Sequence, residues 1–126
     1  MGLMLALLAP EAFGQNLYWD LNGSAAGAGG PSPSATWDAT SPFWNTNSDG
    51  TIATAPWLPG STAIFSAGTD ATGPYTITLI GTQALGGITI DSGTPTLTGA
   101  ALELTPGSTI MALSGHNLSI ASTITG

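Results

Sequence analysis

The chain has 126 residues, with seven acids, no Lys, no Arg and no Cys, and a formal net charge of −7. With no basic side chain to neutralise phosphates, it has no means of holding nucleic acid or binding anionic lipid directly, and without Cys it has no disulfide, Cys-ligated zinc or thiol catalysis. A chain that is 42% hydrophobic but only 6% charged reads as one folded domain, made soluble by Thr, Ser, Asn and its backbone.

Residues 1–14 open with the apolar run Leu3-Met-Leu-Ala-Leu-Leu8, then Pro10 and small residues. The run is too short for a bilayer span, which needs about 20 residues, and it matches the apolar core of a secretory signal peptide. Ala12 and Gly14 place small residues at −3 and −1, so cleavage is expected before Gln15. No basic residue precedes the run, so either the true start lies upstream or the signal is a weak one.

Residues 15–72 form an aromatic-rich region. Tyr18-Trp-Asp-Leu-Asn-Gly23 reads as a strand closed by an Asn-Gly turn. Of the neighbours Tyr18 and Trp19, alternation allows only one to face the core. The stretch Ser24–Ser34 is Gly- and Pro-rich. It has neither the Lys nor the following helix of a phosphate cradle, so it is read as a surface loop. Trp37, Trp44 and Trp57 follow from three Pro- or Gly-flanked segments. Two uses are open to them: buried, they would close the end of a strand stack; exposed, Trp37, Trp44 and Trp57 would stack on sugar rings. Asn45-Thr-Asn-Ser-Asp-Gly-Thr51 has the alternating oxygens of the first half of a calcium loop. Pro56 stands where that loop needs its bidentate acid, so a solvated turn is expected and no metal is assigned.

Residues 73–126 read as short strands: Tyr75–Ile80, Gly87–Asp91, Thr96–Thr98, Leu102–Leu104, Thr109–Leu113 and Leu118–Ile120. Gly-Thr, Ser-Gly-Thr-Pro, Thr-Pro-Gly-Ser and Ser-Gly-His-Asn lie between them as turns. Apolar residues alternate with Thr or Ser, so Ile88/Ile90, Leu102/Leu104, Ile110 and Leu118/Ile120 are expected inward, with Thr76, Thr78, Thr89 and Thr98 outward. Asp70, Asp91 and Glu103 are read as solvated acids and His116 as a turn residue. No catalytic residue and no cofactor site is assigned.

Tyr18–Gly23, Thr36-Trp-Asp38, Phe43-Trp-Asn45, Trp57, Gly60–Ser66, Gly86–Asp91 and Thr96–Gly99 stand here in an order that resembles bacterial autotransporter-type passenger proteins with autotransporter-associated β-strand repeats. The resemblance implies an all-β fold: the start of a right-handed parallel β-helix (β-solenoid) with an aromatic-rich N-terminal cap, the chain being an N-terminal piece of a longer protein. A β-sandwich is the alternative architecture. The implied function is a non-enzymatic, exported surface protein with a structural or adhesive role. Its partner would be a glycan or protein of a host or neighbouring cell. A carbohydrate-binding sandwich is the second reading.

Overall fold

The computed structural model describes residues 15–126, so the signal-peptide reading of 1–14 lies outside the described residues. Those described form an all-β unit with no helix: β1 (Asn16–Trp19), β2 (Ala35–Trp37), β3 (Trp44–Asn45), β4 (Thr62–Phe65), β5 (Pro74–Ile90), β6 (Thr94–Ala112), β7 (Ser119–Ile120) and β8 (Thr123–Thr125). They belong to one mixed sheet in the order β3-β1-β4-β5-β6-β7, with β2 on β5 and β8 on β6. The β1–β3 pairing is antiparallel, and every other strand pairing is parallel.

Where turns were expected at Gly81-Thr82 and Thr105–Ser108, the ladder bends without ending, and β5 and β6 run as two long strands. Register shifts fall between Leu79 and Thr82 and between Leu85 and Gly87. They divide β5 into three straight segments, each matched by a segment of β6. Gly81 has φ +76°, a left-handed conformation that bends the chain at little steric cost. At the second shift β6 carries Thr105-Pro-Gly-Ser108 where β5 carries only Gly86. The extra residues bulge from a corner, and pairing resumes at Gly87 with Thr109.

Parallel pairing in register stacks like residues into columns. Ala35 pairs with Ile77, Ile77 with Leu97, and Leu97 with Ile120. Leu17, Ala63, Ile88 and Ile110 form a second column, and Gln83, Leu102 and Ile124 a third. The expected alternation holds in β5: Tyr75, Ile77, Leu79, Leu85, Ile88 and Ile90 are buried, while Thr76 is exposed and Thr78 and Thr89 are half-buried. Each buried Leu or Ile stabilises the sheet by about 1.5–3 kcal/mol relative to exposure.

The inward assignment fails at Ile110, which is 40% exposed. It ends its column: β5 covers one side, and among the described residues nothing pairs on the other. Met111, Leu113 and Ile124 are exposed near the same margin, while Leu104, Leu118 and Ile120 are only partly buried.

Candidate functional site

Three features could carry function: the aromatic cluster, the loop around Asp70, and a cavity at one corner of the stack. In the first, Trp37, Trp44 and Trp57 are 1%, 2% and 5% exposed. Trp44 sits in the middle, with ring centroids 5.2 Å from Trp19, 4.9 Å from Trp37, 4.6 Å from Trp57 and 5.7 Å from Phe65. The contacts are edge-on or tilted, as the quadrupoles of aromatic rings prefer. Sugar stacking needs a free ring face, and these rings spend theirs on one another, which corrects the glycan-stacking assignment of Trp37, Trp44 and Trp57. Trp19 is the core member of the Tyr18–Trp19 pair, and its Nε1 donates to Pro33 O at 2.7 Å, tying the Gly/Pro loop over the cluster. Trp57 Nε1 donates to Ala84 O at 3.0 Å.

That Gly/Pro loop is an anion cradle after all, filled by the chain's own carboxylate. Asp70 accepts from Ala28 N at 2.7 Å, Gly30 N at 2.8 Å and Gly29 N at 3.3 Å. Burial would raise the carboxyl pKa, but these N–H groups outweigh it and hold Asp70 below the usual range. Gly27, at φ +90°, passes so close that a Cβ there would lie 2.6 Å from Asp70 Oδ2. Asp70 is thus a latch between two loops and not the solvated acid expected.

Asp20 lies against the same junction, fully buried. Its Oδ2 accepts from Asn45 Nδ2 at 2.9 Å and its Oδ1 from Asn22 N at 3.0 Å. Burial, helped by the charge of Asp70, still pushes its pKa up. The calcium-like oxygens are used by local backbone: Asn45 Oδ1 accepts from Asn47 N, and Asn47 Oδ1 from Asp49 N and Thr51 N. Asp38 closes a similar turn, accepting from Ser41 N, Ser41 Oγ and Thr40 N, which lower its pKa. No group of three His, Cys, Asp or Glu able to hold a metal occurs among the described residues.

The third feature is a cavity of about 450 Å³ lined by Gly68, Thr69, Ala71 and Thr72 with Asp91–Gly93 and Gly115–His116. Asp91 and His116 both line it, so the acid read as solvated and the histidine read as solitary share one recess. Asp91 Oδ1 is buried without a hydrogen-bond partner. Burial raises the Asp91 pKa, and hydrogen bonding from the Ser92 side chain and the Ser66 backbone, with the nearby His116, opposes that rise. His116 Nδ1 lies 3.2 Å from Gly93 O, a contact it makes as the donor. Behind the cavity, Tyr75 Oη lies 2.8 Å from Ser66 Oγ and donates to Ser92 O at 3.1 Å, and burial raises the phenol pKa. The arrangement can bind a small polar group. It has no nucleophile aligned with a base, because Ser66 and Tyr75 bond to each other and not to His116. Residue-by-residue reading missed this recess, since its walls come from stretches that are far apart in sequence and meet through parallel pairing. A search for like residues 20–25 positions apart would have placed Asp91 beside His116.

No protein-family model matches the chain, and no solved structure matches it. The chain is similar to the adhesin BmaC autotransporter of Brucella suis biovar 1 (strain 1330), at 27% identity over all 126 residues. It spans 4% of that relative's length.

Proposed function

We propose that the chain is a non-enzymatic segment of an exported, surface-displayed adhesin of autotransporter type. In this reading residues 1–14 direct export, the aromatic-rich region 15–72 caps one end, and residues 73–126 form rungs of a right-handed parallel β-solenoid. Its partner is a glycan or protein of a host or neighbouring cell. The similarity to the Brucella adhesin along the entire chain carries the functional part. The parallel registers support the solenoid over a sandwich: the chain returns to the column of Ile77 at Leu97 and again at Ile120. Solenoid rungs bury their apolar faces against their neighbours in this way.

The functional test uses antibody raised against residues 15–126 on intact cells producing the natural protein. Surface labelling, with loss of adherence when the antibody is present, is the expected result. Labelling only after permeabilisation defeats the reading.

The architecture has its own test. Since the chain has no Cys, Thr76→Cys with Thr96→Cys places the only two thiols on register partners. Adjacent strands stand about 4.8 Å apart, so mild oxidation or a short bis-maleimide should join them in high yield. Thr76→Cys with Thr89→Cys, on different segments of β5, should stay unlinked. Equal yields from the two pairs count against the solenoid.

A further inference from the structure

We infer that Asn22 is a site of spontaneous covalent modification: its amide closes on Gly23 N, water opens the ring to aspartate or isoaspartate, and the product loosens the latch that Asp70 holds on the same loop. This goes beyond surface display and does not depend on it.

Ring closure needs an amide side chain within reach of the next backbone nitrogen, and a following residue that leaves that nitrogen uncovered. Asn22 is exposed, and Gly23 has no Cβ to shield its nitrogen. A Cβ placed at Gly23 would meet nothing within 4 Å, so the space around the turn is open. Gly23 N donates to no acceptor among the described residues. The Asn22 amide is held lightly, since Nδ2 donates to Ala26 O at 3.3 Å in an exposed contact. Ala25 N closes the turn on Asn22 O at 3.4 Å. Both bonds are longer than usual for N–H to O.

The other candidates lack one requirement or another. Asn45 is buried, gives Nδ2 to Asp20 Oδ2 and Ile52 O, and is followed by Thr46. Asn47 is followed by Ser48, and its Oδ1 accepts from Asp49 N, Thr51 N and Thr51 Oγ1. Asn16 and Asn117 each precede Leu, whose side chain crowds the nitrogen. Asp49 also precedes Gly, but Gly50 N is engaged by Asn47 O at 3.0 Å, and a Cβ at Gly50 would lie 2.6 Å from Gly27 O.

The chemistry needs water alone. Gly23 N gives up its proton and bonds to Asn22 Cγ; the Cγ–Nδ2 bond breaks, and the amide leaves with that proton as ammonia. Water then cleaves one of the two C–N bonds of the cyclic imide. Cleavage at Cγ gives aspartate with the main chain unchanged. Cleavage at the main-chain carbonyl gives isoaspartate, whose main chain runs through Cγ and is one carbon longer. Either way a neutral amide becomes a carboxylate, and nothing is oxidised or reduced.

That carboxylate appears on an anchored loop. Asn22 N donates to Oδ1 of buried Asp20 at 3.0 Å, and Leu21 N donates to Ala28 O at 2.9 Å. Ala28, Gly29 and Gly30 then bind Asp70 through their N–H groups. A third carboxylate beside Asp20 and Asp70 repels both, and the chain has no Lys or Arg to offset it. The longer main chain of isoaspartate adds slack between the same anchors.

The test incubates the folded full chain in mildly alkaline buffer and follows its peptides by mass spectrometry. The peptide containing Asn22 should gain the mass of an amide-to-acid conversion several-fold faster than those containing Asn16, Asn45, Asn47 or Asn117. Labelling of that peptide by an isoaspartyl methyltransferase identifies the rearranged product. Asn22→Gln should abolish both signals. Asn22→Asp supplies one product at once, and should speed hydrogen exchange at Ala28, Gly29 and Gly30 several-fold while leaving Ile77 and Leu97 unchanged. Loss of ammonia at the other Asn residues first, or none at Asn22, overturns the modification site. Unaltered exchange at Ala28–Gly30 in both Asn22→Asp and the aged protein overturns its coupling to the latch.

Discussion

Replacing Trp44 with alanine should cost about 3–5 kcal/mol of folding stability, the range for truncating a buried Trp. Domains are held by only about 5–15 kcal/mol, so this single change should bring the chain close to its unfolding threshold at physiological temperature. Trp44 touches Trp19, Trp37, Trp57 and Phe65 at once, so its removal leaves a cavity walled by rings that cannot all relax into it. It also sits on β3, whose two residues are held to β1 and to Ala55, and that pairing should loosen with it. Trp44→Phe keeps part of the ring contact and should lose about half as much. Urea denaturation followed by circular dichroism measures both. A loss below about 1 kcal/mol for Trp44→Ala would show that the aromatic cluster contributes little to holding the fold.

Stability should peak at mildly acidic pH instead of at neutrality, because the carboxyls fall into two opposed groups. Asp20 and Asp91 have folded pKa values raised above 3.8, chiefly by burial. At neutral pH each holds a charge that the unfolded chain would solvate better, so each weakens the fold. As pH falls through their raised values, the folded state takes up protons before the unfolded one does, and stability rises. Asp70 and Asp38 have folded values below 3.8. Their contribution is fully present above the unfolded value and is lost as pH falls through the folded one, so stability drops again at stronger acid. Loss of self-repulsion from the net −7 charge adds to the rise on the neutral side.

Asp70→Ala isolates the acid limb. It removes the acceptor of three backbone N–H groups and should cost about 1–3 kcal/mol at neutral pH, while flattening the fall below pH 3.8. Asp91→Asn should instead flatten the rise between neutrality and mild acid. Denaturant midpoints measured from pH 2.5 to pH 8 check both. A wild-type profile that climbs steadily toward pH 8 contradicts the assignment of Asp20 and Asp91.

Much of this architecture is a local property of the chain. The alternation Tyr75-Thr-Ile-Thr-Leu determines which side chains of β5 are buried, because a strand has a period of two whatever its partner. The absence of Lys and Arg, the turn-forming glycines and the concentration of Trp before residue 58 are likewise visible without coordinates. What local pattern could not decide was adjacency. Parallel pairing brings together residues far apart in sequence, so Asp91 and His116 line one recess, and Ile110 ends a column that Ile88 continues. Asp70 reaches back 40 residues to Gly30 because β1 and β4 run side by side and bring their following loops together. The fate of the Trp rings was likewise open, since composition says that they are large and apolar but not whether their faces meet water or each other. Only the tertiary structure decides such matters, because hydrogen bonds and burial depend on distance in space, and the chain encodes that distance through register and not through neighbouring letters.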